Sequence, residues 1–276
     1  MQKTKSMKKQ ILFLLSFVLI GAGYAQEKGY ISLGLGAGFG TAASYDFSTN
    51  GDKAHPVALG KGCDVMVRGG YFVNKFMAIE LGAGYRMGFN TKIDLVPSSY
   101  NKSSGNDIGT LKIAGSMLEI VPALVISPEL GSGKVRPYAR LGVIIGVMNT
   151  IQTKIDESYT EDGISEHILA TLKYNGGVAV GGSAALGADF NLSKKIALYA
   201  EIIYDALSYA PTKGKFTKYE INGVDQLPDW KTINKEVKFV KDLSDYVYDE
   251  NEPAQELKNS YPFNSLGLNI GVKVKL

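Results

Sequence analysis

The sequence predicts an all-β fold, an eight-stranded antiparallel up-and-down transmembrane β-barrel. Three observations predict it. Eight segments alternate apolar and polar residues with period two, the signature of strands with two unlike faces. The links between these segments are alternately long and short. Beyond the first 25 residues no stretch reaches 18 consecutive apolar positions, so a membrane crossing falls to strands rather than to a helix.

Composition sets the frame. The 276 residues are 45% hydrophobic and 21% charged, which excludes a disordered chain of low hydrophobicity and high net charge. The first 25 residues hold Lys3, Lys5, Lys8 and Lys9 and no acid. The remainder carries 26 basic and 27 acidic side chains, a net of −1, which argues against a nucleic-acid partner. A single cysteine excludes an intrachain disulfide framework and a Cys-rich zinc site.

The N-terminus reads as an export signal. Lys3 to Lys9 form a positive segment, ILFLLSFVLI (Ile11–Ile20) an apolar one, and small residues follow at Gly23 and Ala25. The apolar run is too short for a comfortable bilayer span, and cleavage is expected after Ala25. No cysteine stands at the cleavage point, so no lipoprotein anchor is expected. Residues 26–276 are then one barrel domain.

The strands are expected near Gly29–Gly40, Lys61–Val73, Phe76–Asn90, Ser116–Ser127, Val135–Asn149, Gly176–Phe190, Ile196–Ser208 and Tyr261–Leu276. Asn74-Lys75, Pro128–Lys134 and Asn191–Lys195 make three turn-rich links. Thr41–Gly60, Thr91–Gly115, Thr150–Asn175 and Tyr209–Ser260 are long. Short turns at one end and long loops at the other describe a bacterial outer-membrane barrel, with both termini on the short-turn, periplasmic side and the long loops extracellular. Pro122 interrupts the fourth strand, where a bulge is expected.

The two faces separate a membrane barrel from a soluble one. In the last strand Leu266, Leu268, Ile270, Val272, Val274 and Leu276 oppose Gly267, Asn269, Gly271, Lys273 and Lys275. The polar face is mostly Gly and Ser with a few charges, which suits a crowded interior better than a wet exterior. Arg68, Arg86, Arg136 and Arg140 all fall on that face, joined by Lys273 and by six acids, Asp64, Glu80, Glu119, Asp189, Glu201 and Asp205. Arginine suits packed bidentate pairs, and eight strands leave an interior that side chains can fill. A nearly neutral, charge-paired lumen is expected. Aromatics crowd the strand ends at Tyr30, Phe39, Tyr71, Phe76, Phe89, Tyr138, Tyr174, Phe190, Tyr204, Tyr209 and Phe263, and are read as interfacial girdles.

Chemical motifs are weak. GFGTAA (Gly38–Ala43) matches a loose dinucleotide pattern but no amphipathic helix follows. Ser99 and Lys102 form an S-x-x-K with no K-T-G after it. His55 and His167 lie in separate loops without metal spacing. Cys63 reads as a small apolar residue. No catalytic residue, cofactor or metal site is assigned. In the last long loop Trp230, Ile233, Val237, Val240 and Val247 have helix-compatible spacing after Pro228, so a helix is expected there, with disorder as the alternative.

Signal, eight strands, three tight turns, four long loops and a charged lumen resemble the small outer-membrane barrels of the outer membrane protein A and X type. The resemblance covers residues 26–276 and rests on pattern rather than on an invariant motif. It implies a barrel plugged by internal salt bridges, surrounded by outer-membrane lipid and folded with the outer-membrane assembly machinery. The terminal strand LGLNIGVKVKL fits an alternating assembly signal but ends in Leu276 rather than an aromatic. The expected role is that of a monomeric, non-enzymatic structural or cell-surface interaction protein, its ligand contacts made through Tyr209–Ser260. A narrow passive pore is the alternative, and a membrane-embedded enzyme stands behind both.

Overall fold

The computed structural model describes residues 29–44, 56–95, 108–128, 134–161, 164–244 and 246–276. The expected signal through Ala25, together with His55, Ser99 and Lys102, lies outside them. In chain order the strands are β1 (Gly29–Gly40), β2 (Gly62–Phe72), β3 (Met77–Gly88), β4 (Thr91–Leu95), β5 (Ile108–Ile126), β6 (Val135–Glu161), β7 (Ile164–Asn175) and β8 (Ala179–Asn191). They continue as β9 (Ile196–Tyr209), β10 (Lys213–Ile221), β11 (Val224–Asp225), β12 (Glu236–Val240), β13 (Ala254–Leu257), β14 (Tyr261–Pro262) and β15 (Ser265–Lys275).

Eight of them close a ring. β1, β2, β3, β5, β6, β8, β9 and β15 pair in that order, each antiparallel to its neighbours, and β15 returns to β1. These are the eight expected strands. The Asn74-Lys75 turn is built locally: the Asn74 carboxamide Oδ1 accepts from the amides of Phe76 and Met77 at 2.8 and 2.9 Å. Period-two alternation then sorts the faces. Leu268 is 64% exposed on the outer wall, whereas Asn269 beside it is 2% exposed and faces inward. The outer wall is aliphatic all round, with Leu33, Val67, Ile79, Leu141, Leu186 and Ile202 among its exposed residues.

β6 is 27 residues long and runs past the barrel rim. It pairs with β8 up to Gly146↔Ala179 and with β7 from Thr150↔Asn175 onward. A bulge marks the change of partner. The register with β5 shifts between Ser116 and Leu118, so Met148 and Asn149 stand opposite Met117 alone. Met148 takes φ 53° to do so, and the Asn149 carboxamide donates to the Gly146 carbonyl at 2.9 Å. The return to β8 goes through Gly176 and Gly177, both at φ near +77°. Tyr209 ties the junction together, its hydroxyl donating to the Gly176 carbonyl at 2.8 Å.

Pro122 produces no bulge. Ile120↔Ile145 and Ala123↔Gly142 keep one register across it, and Leu81↔Pro122 stays paired on the other side. Proline removes a single ladder donor, and the paired rows above and below hold the strands in step.

Strands in the described parts of the long connections extend the barrel sheet beyond the rim. β4, the upper parts of β5 and β6, β7, β10, β12 and β13 are paired in that order. The helix expected around Trp230–Val247 shrinks to a 3-10 turn at Leu227–Asp229 and one helical turn at Thr232–Lys235. Val237 and Val240 lie in β12, where Val237 pairs with Gly214 and Phe239 packs on Tyr174 at 5.4 Å between ring centroids. β-Branched and aromatic residues beside an open strand edge favour the ladder over the helix. Trp230 packs on β10 instead, 4.4 Å from the Tyr219 ring and 5.7 Å from Phe216. Side-chain turns at Asp225, Asp242 and Asp249 order the rest. At Asp242 the Ser244 hydroxyl and amide hold the carboxyl below its ordinary range.

Gly177 combines a left-handed backbone with the Ala210 carbonyl 2.8 Å from where a Cβ would sit. Gly177→Ala should therefore cost at least about 1–2 kcal/mol. Gly182→Ala, on the outer wall with nothing within 4 Å, should be near neutral. Urea unfolding in lipid vesicles compares the two.

Candidate functional site in the barrel lumen

Inward side chains from neighbouring strands and from across the ring meet in layers. Nearest the short turns, Lys273 of β15 donates to both oxygens of Asp189 on β8, at 2.7 and 2.8 Å. Its ammonium also faces the rings of Tyr30 and Tyr138 at 4.7 and 4.9 Å, a cation–π arrangement. Tyr30, Ala78, Val125 and Tyr138 form a small apolar cluster around it, with Phe72 against them.

The next layer crosses two arginines with two glutamates. Arg68 on β2 reaches Glu201 on β9 at 3.1 Å and Glu80 on β3 at 3.7 Å. Arg140 on β6 contacts the same pair, Glu80 at 3.3 Å and Glu201 through a shorter contact. Tyrosines fill the remaining acceptor sites: Tyr30 donates to Glu80 at 2.8 Å and Tyr138 to Glu201 at 2.7 Å. Arg68 in turn donates to the Tyr199 hydroxyl at 2.9 Å. All four charged groups are buried. Their charges cancel, the condition for holding ions away from water.

Above this, Arg86 of β3 binds Glu119 of β5 at 2.6 Å, Asp205 of β9 at 2.5 Å and Ser265 of β15 at 2.9 Å. Ser183 donates to the other Asp205 oxygen at 2.7 Å. At the long-loop end the inward face turns apolar. Met117, Ile144, Leu207 and Phe263 pack with Val57 and Leu59 from the first long connection and Ile93 of β4. This stopper was not expected. Its sign in the sequence is that the inward parity carries Ile113 and Met117, Ile144, and Leu207 and Tyr209 toward the upper strand ends.

Nine of the eleven expected lumen residues join these ion pairs, and two do not. Asp64 lies across the ladder from Arg86 but makes no hydrogen bond or ion pair among the described residues, since Glu119 and Asp205 occupy that guanidinium. Arg136 sits half-buried at the short-turn mouth. It donates to Ser127 at 2.7 Å and to the Lys75 carbonyl at 3.1 Å and stacks over Phe72 at 4.9 Å. Its ladder partner Asp189 is taken by Lys273. The aromatic girdle is also smaller than expected. Phe39, Tyr71, Phe76, Phe89, Phe190 and Tyr204 are exposed on the outside, but Tyr30, Tyr138, Tyr209 and Phe263 are buried within. Their strand parity points inward, where their rings and hydroxyls have partners.

His167 is exposed on the β6–β7 hairpin with its Nε2 2.9 Å from Asp156. Cys63 is a free, half-buried thiol. Among the described residues no group of three His, Cys, Asp or Glu side chains could hold a metal.

A closed antiparallel wall, apolar outside and ion-paired inside, defines a small membrane-spanning β-barrel. The outer membrane protein beta-barrel domain family matches residues 11–224, and the chain belongs to that family, whose place is the bacterial outer membrane. Solved structures similar to it include Neisserial surface protein A, 13% identical, with 90% of this chain and 97% of that one covered at a TM-score of 0.39. A major outer membrane protein from Thermus thermophilus is 14% identical, with coverage of 90% and 99% and a TM-score of 0.43. Outer membrane protein OprG from Pseudomonas aeruginosa is 15% identical, with coverage of 92% and 98% and a TM-score of 0.39. No curated protein matches the chain.

Arg140→Ala leaves Glu80 and Glu201 each short of a partner and should cost about 3–5 kcal/mol. Arg136→Ala loses two hydrogen bonds and no ion pair, and should cost about 1–2 kcal/mol. Because Arg68 and Arg140 share both glutamates, the double alanine variant should depart from additivity by about 0.5–3 kcal/mol. Urea midpoints of the refolded variants measure all three.

Proposed function

We propose that the protein is a closed, non-conducting barrel of the outer membrane that presents its long-connection sheet at the cell exterior as a structural or interaction surface. The single observation that carries this reading is how little room is left beside the ion pairs among the described residues. The void beside Arg86, Asp205 and Ser265 is about 10 Å³. The one beside Arg68, Arg140 and Lys273 is about 0 Å³. A water molecule needs roughly 10–15 Å³, so neither void supports a chain of water. The ion pairs serve as the plug, and the eleven charged residues from Asp64 to Lys273 act in it as pairs or as neighbours of pairs.

On this reading the segment ending at Ala25 directs export and is removed. The short turns face the periplasm, and the assembly machinery inserts a monomer. The surface offered outside is the 209–260 connection, where Val247 and Tyr248 stand exposed. The role is non-enzymatic, because His167 and Asp156 sit in open solvent on a hairpin rather than in a water-excluding cleft.

Planar-bilayer recording of the refolded protein should show no steady conductance above the bare membrane. A stable open-channel current would overturn the reading in favour of a pore.

A further inference from the structure

The outer wall is not uniformly convex. On the outward side of β1, β2, β3, β5 and β6 lies an apolar groove of about 960 Å³. Val67, Ile79, Leu81 and Leu141 line it and are exposed. Its bare patch is Gly69, where a Cβ would meet nothing within 4 Å. The groove reaches the short-turn end of the wall at Gly29, Tyr71 and Leu276. Because the wall is the membrane-facing surface of an outer-membrane barrel, what fills such a groove is hydrocarbon. A recess touches a chain on several sides where a convex wall touches it on one, and dispersion contacts add up accordingly.

The charge of the short turns, toward which the groove runs, selects the head group. The three short turns hold Lys75, Lys134, Lys194 and Lys195 against one acid, Glu129, which lies outside the described residues. The four long connections (residues 41–60, 91–115, 150–175 and 209–260) hold 19 acids against 14 bases, a net of −5. The short-turn rim is therefore the cationic end. Lys75 lies in the turn joining β2 to β3, and Lys134 directly precedes β6, so both belong to turns of groove-lining strands. Lys194 and Lys195 join β8 to β9, which do not line it. Tyr71, 47% exposed at the foot, has the apolar ring and polar tip that suit the boundary between chain and head group.

We propose that this groove and its lysines hold one anionic glycerophospholipid, with an acyl chain along Gly69 and its phosphodiester against Lys75 and Lys134. Juxtamembrane lysines attract anionic head groups over zwitterionic ones. The proposal goes beyond the plugged-barrel reading and rests only on the wall facing lipid.

The test uses the protein extracted from membranes in mild detergent and presented with equal amounts of dioleoyl phosphatidylglycerol and dioleoyl phosphatidylcholine. Native mass spectrometry reads the lipid retained. The native protein should keep one phosphatidylglycerol, favoured at least tenfold over phosphatidylcholine. Gly69→Trp fills the groove and should abolish retention of either lipid. Lys75→Glu with Lys134→Glu should erase the preference, and Lys194→Glu with Lys195→Glu should leave it within twofold. Equal retention of the two lipids by the native protein would overturn the proposal, as would retention by Gly69→Trp at the native level. So would an equal loss of preference in both lysine pairs, which would show diffuse attraction rather than a site. The outcome is independent of conductance, so a conducting barrel that still keeps its phosphatidylglycerol would defeat the plug and leave the lipid site standing.

Discussion

Hydrocarbon offers no hydrogen bonds, so a strand wall crossing it must leave no edge unpaired. Closing eight strands meets that demand and also fixes the width of the interior at about the reach of filling side chains. The pairing of residues remote in sequence follows from this closure. Arg68 and Glu201 are 133 positions apart, yet they meet because closure brings β9 within three strands of β2, by way of β15 and β1, around one narrow ring. Arg86 reaches Asp205 and Ser265 in the same way. A wider ring would leave these groups hydrated and separate, and an open sheet would never bring them together.

Buried ion pairs are weak evidence for stability, because desolvation offsets most of the attraction. Their stronger effect here is on register. The side-chain period is two, so a one-residue slip of β3 would turn Glu80 and Arg86 out into lipid and Ile79 and Tyr85 into the lumen. The alternatives are penalised more heavily than the native register is rewarded. The inward glycines belong to the same crowded interior. Gly34 lies under the Tyr199 hydroxyl and Gly36 under the Asp64 carboxylate, each closer than 2.5 Å to where a Cβ would be. Those small residues are the space into which the long inward groups fold.

Strand limits and faces were legible in the sequence because both depend on local alternation. β1 spans the expected Gly29–Gly40, and β2, β3, β8 and β9 differ from expectation by no more than a few residues at either end. Height along the barrel was not legible. Parity states that Arg136 and Asp64 face inward but not which neighbours have already claimed Asp189 and Arg86. It likewise placed Tyr30 and Tyr138 at strand ends without showing that Glu80 and Glu201 would draw their hydroxyls inside. The long connections were hidden for a related reason. Trp230, Ile233, Val237 and Val240 fit a helical stripe, yet β10 presents a strand edge that only the folded hairpin creates. The hand-off at Met148 and Asn149 is a tertiary event too, since β6 bends where it exchanges β8 for β7.

The apolar stopper and the ion pairs are best understood as one device in two parts. Water entering from the long-loop mouth would hydrate Arg86, Glu119 and Asp205 and weaken their contacts, since attraction between charges falls as the local dielectric rises. Phe263, Met117, Ile144 and Leu207 are packed into one buried apolar cluster on that side of them. The stopper in turn depends on the long connections, because Val57, Leu59 and Ile93 come from outside the eight-stranded ring. The Phe263 amide bonds the Leu207 carbonyl at 2.8 Å, and the Asn264 carboxamide accepts from the Leu207 amide at 2.9 Å. The strand leading into β15 is thereby fastened to β9 where the charges end and the apolar packing begins. The outer strands and connections therefore do more than decorate the barrel: Val57, Leu59 and Ile93 complete the apolar packing at the end of the lumen where the ion pairs stop.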